Sequence, residues 1–304
     1  MLQKIIANDP KTLEYLKGRK EPVIDTHTFW TESSSERAKI NTLTPEKLNS
    51  SLKLMNVHGI GIPMDISQNK TAGEIIGSFD HIIASYLHFN PNPDYKVHLG
   101  YISPEDADEL ATQKHFVGFK TLPSLSRTSV DDPRNSPFYE VAIKHGLPVL
   151  IHCSSEGNKF SSVEKFRTLA ERYPKLKIIM AHFGGLRVKY MKDTVNFAED
   201  NTNIYLNTTS LNPFRSHPCI SNTVYEKKER VLPDKHFFDE VLQIFLDASK
   251  KFPKRIIFGT DLGIFHVDAY SLWPIYELHD KKLESRILFA NPLQLFKRLR
   301  FPKN

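Results

Sequence analysis

The chain has 304 residues, enough for one large α/β barrel or two modest domains. With 40% hydrophobic and 25% charged residues it is composed like a globular protein with a sizeable core. No apolar run nears the roughly 18–20 residues needed to cross a bilayer, so no membrane role is expected. The first ten residues carry no long apolar stretch or small-residue cleavage site, which argues against a secretory signal. Two cysteines, Cys153 and Cys219, give no disulfide framework and point to the reducing cytoplasm.

The formal charge of +6 is confined to residues 281–304, which hold seven Lys/Arg and one acid, Glu284. The rest of the chain is formally neutral. A charge excess gathered on a terminal helix reads as a solvated face or a contact between copies. Nucleic acid is not expected, since no zinc-finger or RNP-type pattern accompanies it.

In chain order, strands are predicted at 22–26, 57–62, 81–87, 116–120, 148–152, 177–181, 203–207 and 255–260. Amphipathic stretches lie between them, among others at 104–112, 136–145, 161–173, 187–199 and 234–251. Runs such as Lys177-Ile178-Ile179-Met180 and Arg255-Ile256-Ile257-Phe258 suit strands buried on both faces. Eight strands alternating with helices predict a single α/β domain, a (β/α)8 TIM barrel over 1–304. A helical extension is expected at 1–20. The segment 211–234 is long for a loop and is expected to overhang the active-site face.

The first strand ends in Asp25-Thr26-His27-Thr28-Phe29. Residues i and i+2 of a strand share a face, so two histidines at that spacing could close on one metal ion. Here Phe29 stands where the second would be, and it cannot coordinate. Asp25 shares the face but lies one layer deeper.

Barrel enzymes take their reactive residues from the C-terminal ends of several strands. Those ends read His27, Lys120, His152, His182 and Asp261. Neutral imidazole and carboxylate suit zinc or a similar divalent ion, with one position left open for water. Asp261 could hold the ion and take the proton from attacking water, while His182 orients or polarises the substrate. Cys153 follows His152 and is expected to be a small buried apolar residue. The Gly184-Gly185 pair is either a turn into the next helix or a close approach to a ligand. His266, after the last strand, could reach the site from above.

These residues resemble the amidohydrolase superfamily, and within it the amidohydrolase-2 branch, which includes aminocarboxymuconate-semialdehyde decarboxylase. The matching segments are Val23-Ile24-Asp25-Thr26-His27, Val117-Gly118-Phe119-Lys120 and Gly146-Leu147-Pro148-Val149-Leu150-Ile151-His152. Ile179-Met180-Ala181-His182-Phe183-Gly184-Gly185, Ile257-Phe258-Gly259-Thr260-Asp261 and Ala290-Asn291-Pro292-Leu293-Gln294-Leu295-Phe296 follow. The resemblance implies His27, His152 and Asp261 as metal ligands, with His182 touching metal or substrate. It implies one divalent ion per chain, zinc or manganese. Lys120 falls where some relatives carry a carboxylated lysine, although a plain lysine near the substrate is the branch's commoner use. Phe29, Lys120 and Arg215 are the expected substrate contacts.

Two function classes follow. The first is a metal-dependent enzyme hydrolysing a C–N or ester (lactone) bond in a small carboxylated or carbonyl compound, or decarboxylating one. The second is a barrel with a degraded metal site, kept as a binding protein. The expected partner is a small molecule, and association of copies through the helical shell is left open.

Overall fold

The computed structural model describes residues 10–32, 43–95, 100–153, 158–185, 187–209, 211, 235–263 and 272–301. Eight parallel strands lie side by side in sequence order. They are β1 Val23–Trp30, β2 Val57–Pro63, β3 Ile82–His88, β4 Phe116–Thr121, β5 Val149–Ile151, β6 Ile178–Met180, β7 Ile204–Asn207 and β8 Ile256–Ile257. The chain just past β8 returns to β1 and brings the ends of the sheet together. Thr26 N donates to Phe258 O (3.0 Å), Asp261 N to His27 O (2.9 Å) and Phe29 N to Leu262 O (2.6 Å). This is the TIM barrel that the alternation predicts, built as one domain.

Local chemistry accounts for the helices between strands. Pro104–Ala111 starts with Ser103 Oγ accepting from Asp106 N at 3.0 Å, a proline in its first turn and two acids facing the helix N-terminus. Ser136–His145 buries Phe138, Tyr139 and Ala142, a stripe at helical spacing that packs on the barrel. Burying Phe138 alone contributes about 1.5–3 kcal/mol.

Three departures from the sequence reading exceed one residue at an element's end. All eight residues of β1 are buried and the strand runs on to Trp30, so His27 and Phe29 lie within it. The expected helix over 161–173 divides into Asn158–Ser161 and Val163–Arg172, because Ser162 is extended. β8 stops at Ile257, well short of 260, and Asp261 then turns the chain away with a left-handed φ of 64°. That turn carries a site residue.

The basic tail is likewise not one helix. It divides into Lys281–Ser285, a π-helical turn at Arg286–Ala290, and Asn291–Leu295. Arg298 donates to the carbonyls of Ala111, Gln113 and Phe116, tying the tail to β4. Glu284 is buried and accepts from Tyr15 Oη at 2.6 Å, which docks the N-terminal helix Pro10–Lys17. Most of the 211–234 loop lies outside the described residues, as does 1–9 of the N-terminal extension. Among the described residues, no helix is long and apolar enough to cross a membrane.

The closing seam leaves no room at Gly263. Its φ is 109°, and a Cβ there would lie 1.9 Å from the Phe29 carbonyl oxygen. Gly263→Ala is therefore expected to cost at least about 2 kcal/mol of stability in urea titrations. Gly77, in the helix Ala72–Ser78 with nothing within 4 Å of a built Cβ, is the control. Gly77→Ala should gain about 0.5–1 kcal/mol. Equal effects at the two positions would contradict the seam geometry.

Candidate active site

The C-terminal ends of the strands bring His27, Lys120, His182 and Asp261 together in the barrel interior. Each is 3% exposed or less, with the half-buried His152 at the edge of the group. Two of the five are held in left-handed backbone, His182 at φ 54° and Asp261 at φ 64°. For residues with a Cβ this costs about 1–3 kcal/mol each, strain of the kind that concentrates at functional sites. Gly184, two residues after His182, is explained by packing. Its φ is 84° and a Cβ would collide with Thr194.

A chain of hydrogen bonds fixes the tautomer of His27. Thr26 Oγ1 donates to the Phe258 carbonyl at 2.6 Å, so its oxygen can only accept elsewhere. Asn207 must then present its amide nitrogen to Thr26 (2.8 Å), which turns its Oδ1 toward His27 Nδ1 at 3.4 Å. Thr209 Oγ1 lies 2.8 Å from the same nitrogen. An amide oxygen only accepts, so Nδ1 carries the proton and Nε2 presents a lone pair. Burial, then the nearby Lys120 charge, holds the His27 pKa well below its ordinary value and keeps the ring neutral.

That lone pair meets Lys120 Nζ at 3.2 Å and Asp261 Oδ1 at 3.2 Å. Burial lowers the Lys120 pKa to about 7, with the Asp261 carboxylate opposing the fall. The Phe29 ring lies 5.3 Å from the His27 ring, centroid to centroid, and 5.6 Å from Lys120 Nζ. Phe29 thus faces the site, as the i, i+2 spacing predicts.

The second arm runs through the other two histidines. His182 Nδ1 lies 3.3 Å from the Thr209 carbonyl and 3.7 Å from Asp261 Oδ2, both acceptors only, so it carries the proton. His182 Nε2 then accepts from His152 Nδ1 at 2.9 Å. The remaining nitrogen of His152, Nε2, is then the unprotonated one, at the edge of the site. Asp261 joins the two arms.

Several participants were invisible in the sequence. Thr26, Asn207 and Thr209 matter only once β7 and the β8 turn meet β1. His88, in register with Lys120 on the neighbouring strand, is fully buried; Nδ1 donates to the Pro63 carbonyl at 2.8 Å and Nε2 has no hydrogen-bond partner among the described residues. Asp25 accepts from His27 N (3.0 Å), Thr260 N (3.1 Å) and Thr260 Oγ1 (2.5 Å), and so anchors the strand and turn beneath the site. Cys153 is buried, and burial pushes its thiol up to about 12, which rules out a thiolate nucleophile. Arg215 and His266 lie outside the described residues.

The amidohydrolase family model matches residues 101–298. The chain belongs to the amidohydrolase family. Its members are enzymes that typically depend on a divalent metal ion. Solved structures with the same fold include a zinc-bound amidohydrolase from Burkholderia multivorans, at TM-score 0.65 and 12% identity, covering 92% of this chain and 100% of that one. A probable 2-pyrone-4,6-dicarboxylic acid hydrolase from Acinetobacter baumannii matches at TM-score 0.64 and 14% identity, covering 91% and 100%. The 5-carboxyvanillate decarboxylase of Sphingomonas paucimobilis matches at TM-score 0.57 and 14% identity, covering 91% and 99%. Comparison with curated protein sequences gives no match.

As they stand, the donors of this amidohydrolase do not fit the family's ion. Phe29 has no donor to offer, Lys120 Nζ lies against His27 Nε2, and His182 Nε2 is hydrogen-bonded to His152. Among the described residues, no three His, Cys, Asp or Glu side chains converge as a metal-holding group.

Two measurements check this geometry. Long-range ¹H–¹⁵N spectra should show His27 as the Nδ1–H tautomer in the wild type, and an Nε2–H signal would break the chain from Thr26. Burial lowers the His88 pKa from 6.5 to about 4. Between those values the unfolded imidazole binds a proton that the folded one refuses, so stability falls as pH drops. His88→Gln should flatten that slope in pH-dependent urea melts. An unchanged slope would contradict a buried neutral imidazole.

Proposed function

We propose that the protein hydrolyses a C–N or ester (lactone) bond in a small carboxylated or carbonyl compound bound at the C-terminal mouth of the barrel. The observation that supports this reading is the array in which Asp261 Oδ2 lies 3.7 Å from His182 Nδ1 while His182 Nε2 accepts from His152 Nδ1, which puts the His152 proton on Nδ1. In the proposed reaction, a water oxygen attacks the substrate carbonyl carbon as its proton passes to His152 Nε2; the tetrahedral adduct then collapses, breaking the C–N or C–O bond, and His152 returns the proton to the departing nitrogen or oxygen. Asp261 and the Thr209 carbonyl hold His182 in the tautomer that accepts from His152, which stabilises the imidazolium. The Lys120 charge favours the developing oxyanion and attracts an anionic substrate. The hydrolase name carried by one structural neighbour agrees with this chemistry.

Decarboxylation is the second reading. A buried lysine among imidazoles suits a leaving carboxylate, and another neighbour is a decarboxylase. Labelled water separates the two, because only hydrolysis places ¹⁸O in the product while only decarboxylation releases CO₂. A third reading, the zinc or manganese site implied by the resemblance, would need Lys120 to withdraw from His27 Nε2, so that this nitrogen and Asp261 Oδ1, 3.2 Å apart, could share one ion. Arg215 is retained as a proposed substrate contact. A pure binding protein is the weakest reading, since it gives the relay no task.

The test is turnover of a panel of lactones, amides and hydroxybenzoates. Asp261→Asn and His182→Gln are expected to lower kcat about 100- to 10,000-fold with a smaller change in KM. Undiminished kcat in both variants, or a panel giving neither turnover nor saturable binding, would contradict the proposal.

A further inference from the structure

We infer that the cation at the centre of this site is the chain's own Lys120 ammonium, taking the place of a divalent metal ion. The inference concerns the site of the proposed enzyme but not its reaction. It starts from a conflict of charge. His27 Nε2 presents a lone pair, because Thr26 and Asn207 fix the proton on Nδ1. Asp261 Oδ1, a carboxylate oxygen, lies 3.2 Å from that lone pair. Two electron-rich atoms at this distance, both buried, repel each other unless a positive group lies close by.

Lys120 supplies that group. Its Nζ is 3.2 Å from His27 Nε2, its side chain is 0% exposed, and on its strand it sits in register between His88 and Leu150. A buried ammonium needs an acceptor and negative charge; His27 Nε2 is the acceptor, and the Asp261 carboxylate acts on it through space. The Phe29 ring completes the surroundings. Its centroid is 5.6 Å from Nζ, within the range where a ring face attracts a cation. An imidazole at position 29 would offer a lone pair to a metal ion, whereas the phenyl ring offers only its π-face. The phenylalanine at 29 and the inward lysine at 120 therefore act together at one place. They replace a coordinated ion with a covalently tethered charge that no chelator can remove.

The inference predicts metal binding, and its test needs no substrate. Protein purified without chelator is assayed by plasma mass spectrometry and then titrated with zinc by calorimetry. Wild type should carry well under one equivalent of any divalent ion and show no stoichiometric zinc site. The double variant Phe29→His, Lys120→Met restores the donor and removes the competing ammonium. It should bind one zinc at least about a hundredfold tighter than wild type. Wild type carrying one equivalent of metal, or binding zinc as tightly as the double variant, would overturn the inference, and this arm holds even if the variant fails to fold. A folded double variant that gains no affinity would overturn it as well. Loss of the hydrolytic reading would leave these outcomes untouched.

Discussion

The site depends on one close approach, that of His27 Nε2 to Asp261 Oδ1 across the seam where the barrel closes. Neither atom can donate in the protonation states the surroundings impose, so the pair is stable only with a positive charge beside it. The seam that creates the approach is backbone. The hydrogen bonds from Thr26 to Phe258 and from Asp261 to His27 join the last turn of the barrel to the first strand. Folding the barrel and placing two negative or lone-pair groups together are the same event. Lys120, on β4 and so three strands from β1 and four from β8, brings the positive charge that reconciles them.

The same logic organises the second arm. Asp261 is the common member of both arms, facing His27 with one oxygen and His182 with the other. Its left-handed backbone, and that of His182, are strained conformations that the surrounding bonds must hold. Asp25 does part of that holding, since its carboxylate fastens Thr260, the residue before Asp261. A carboxylate one layer below the chemistry thus sets the position of the carboxylate within it.

Much of this was legible in the sequence because strand ends announce themselves. Buried runs of β-branched residues marked the strands, and reading the residue at each end gave His27, Lys120, His152, His182 and Asp261 before any fold was known. What stayed hidden was relational. Asn207 and Thr209 look like ordinary polar residues after an apolar strand until closure sets them against an imidazole. His88 fell one residue beyond the strand expected at 81–87. Phe29 read as a missing ligand. Only its distance to Lys120 turned that absence into a contact.

The central claim is that an ammonium occupies the space a metal ion would otherwise take. Crystals grown with excess zinc, with data collected at the zinc absorption edge, address it most directly. The account predicts no anomalous peak between His27 and Asp261, with Lys120 Nζ in density against His27 Nε2. An anomalous peak bonded to both His27 and Asp261, with Lys120 turned away, would contradict it.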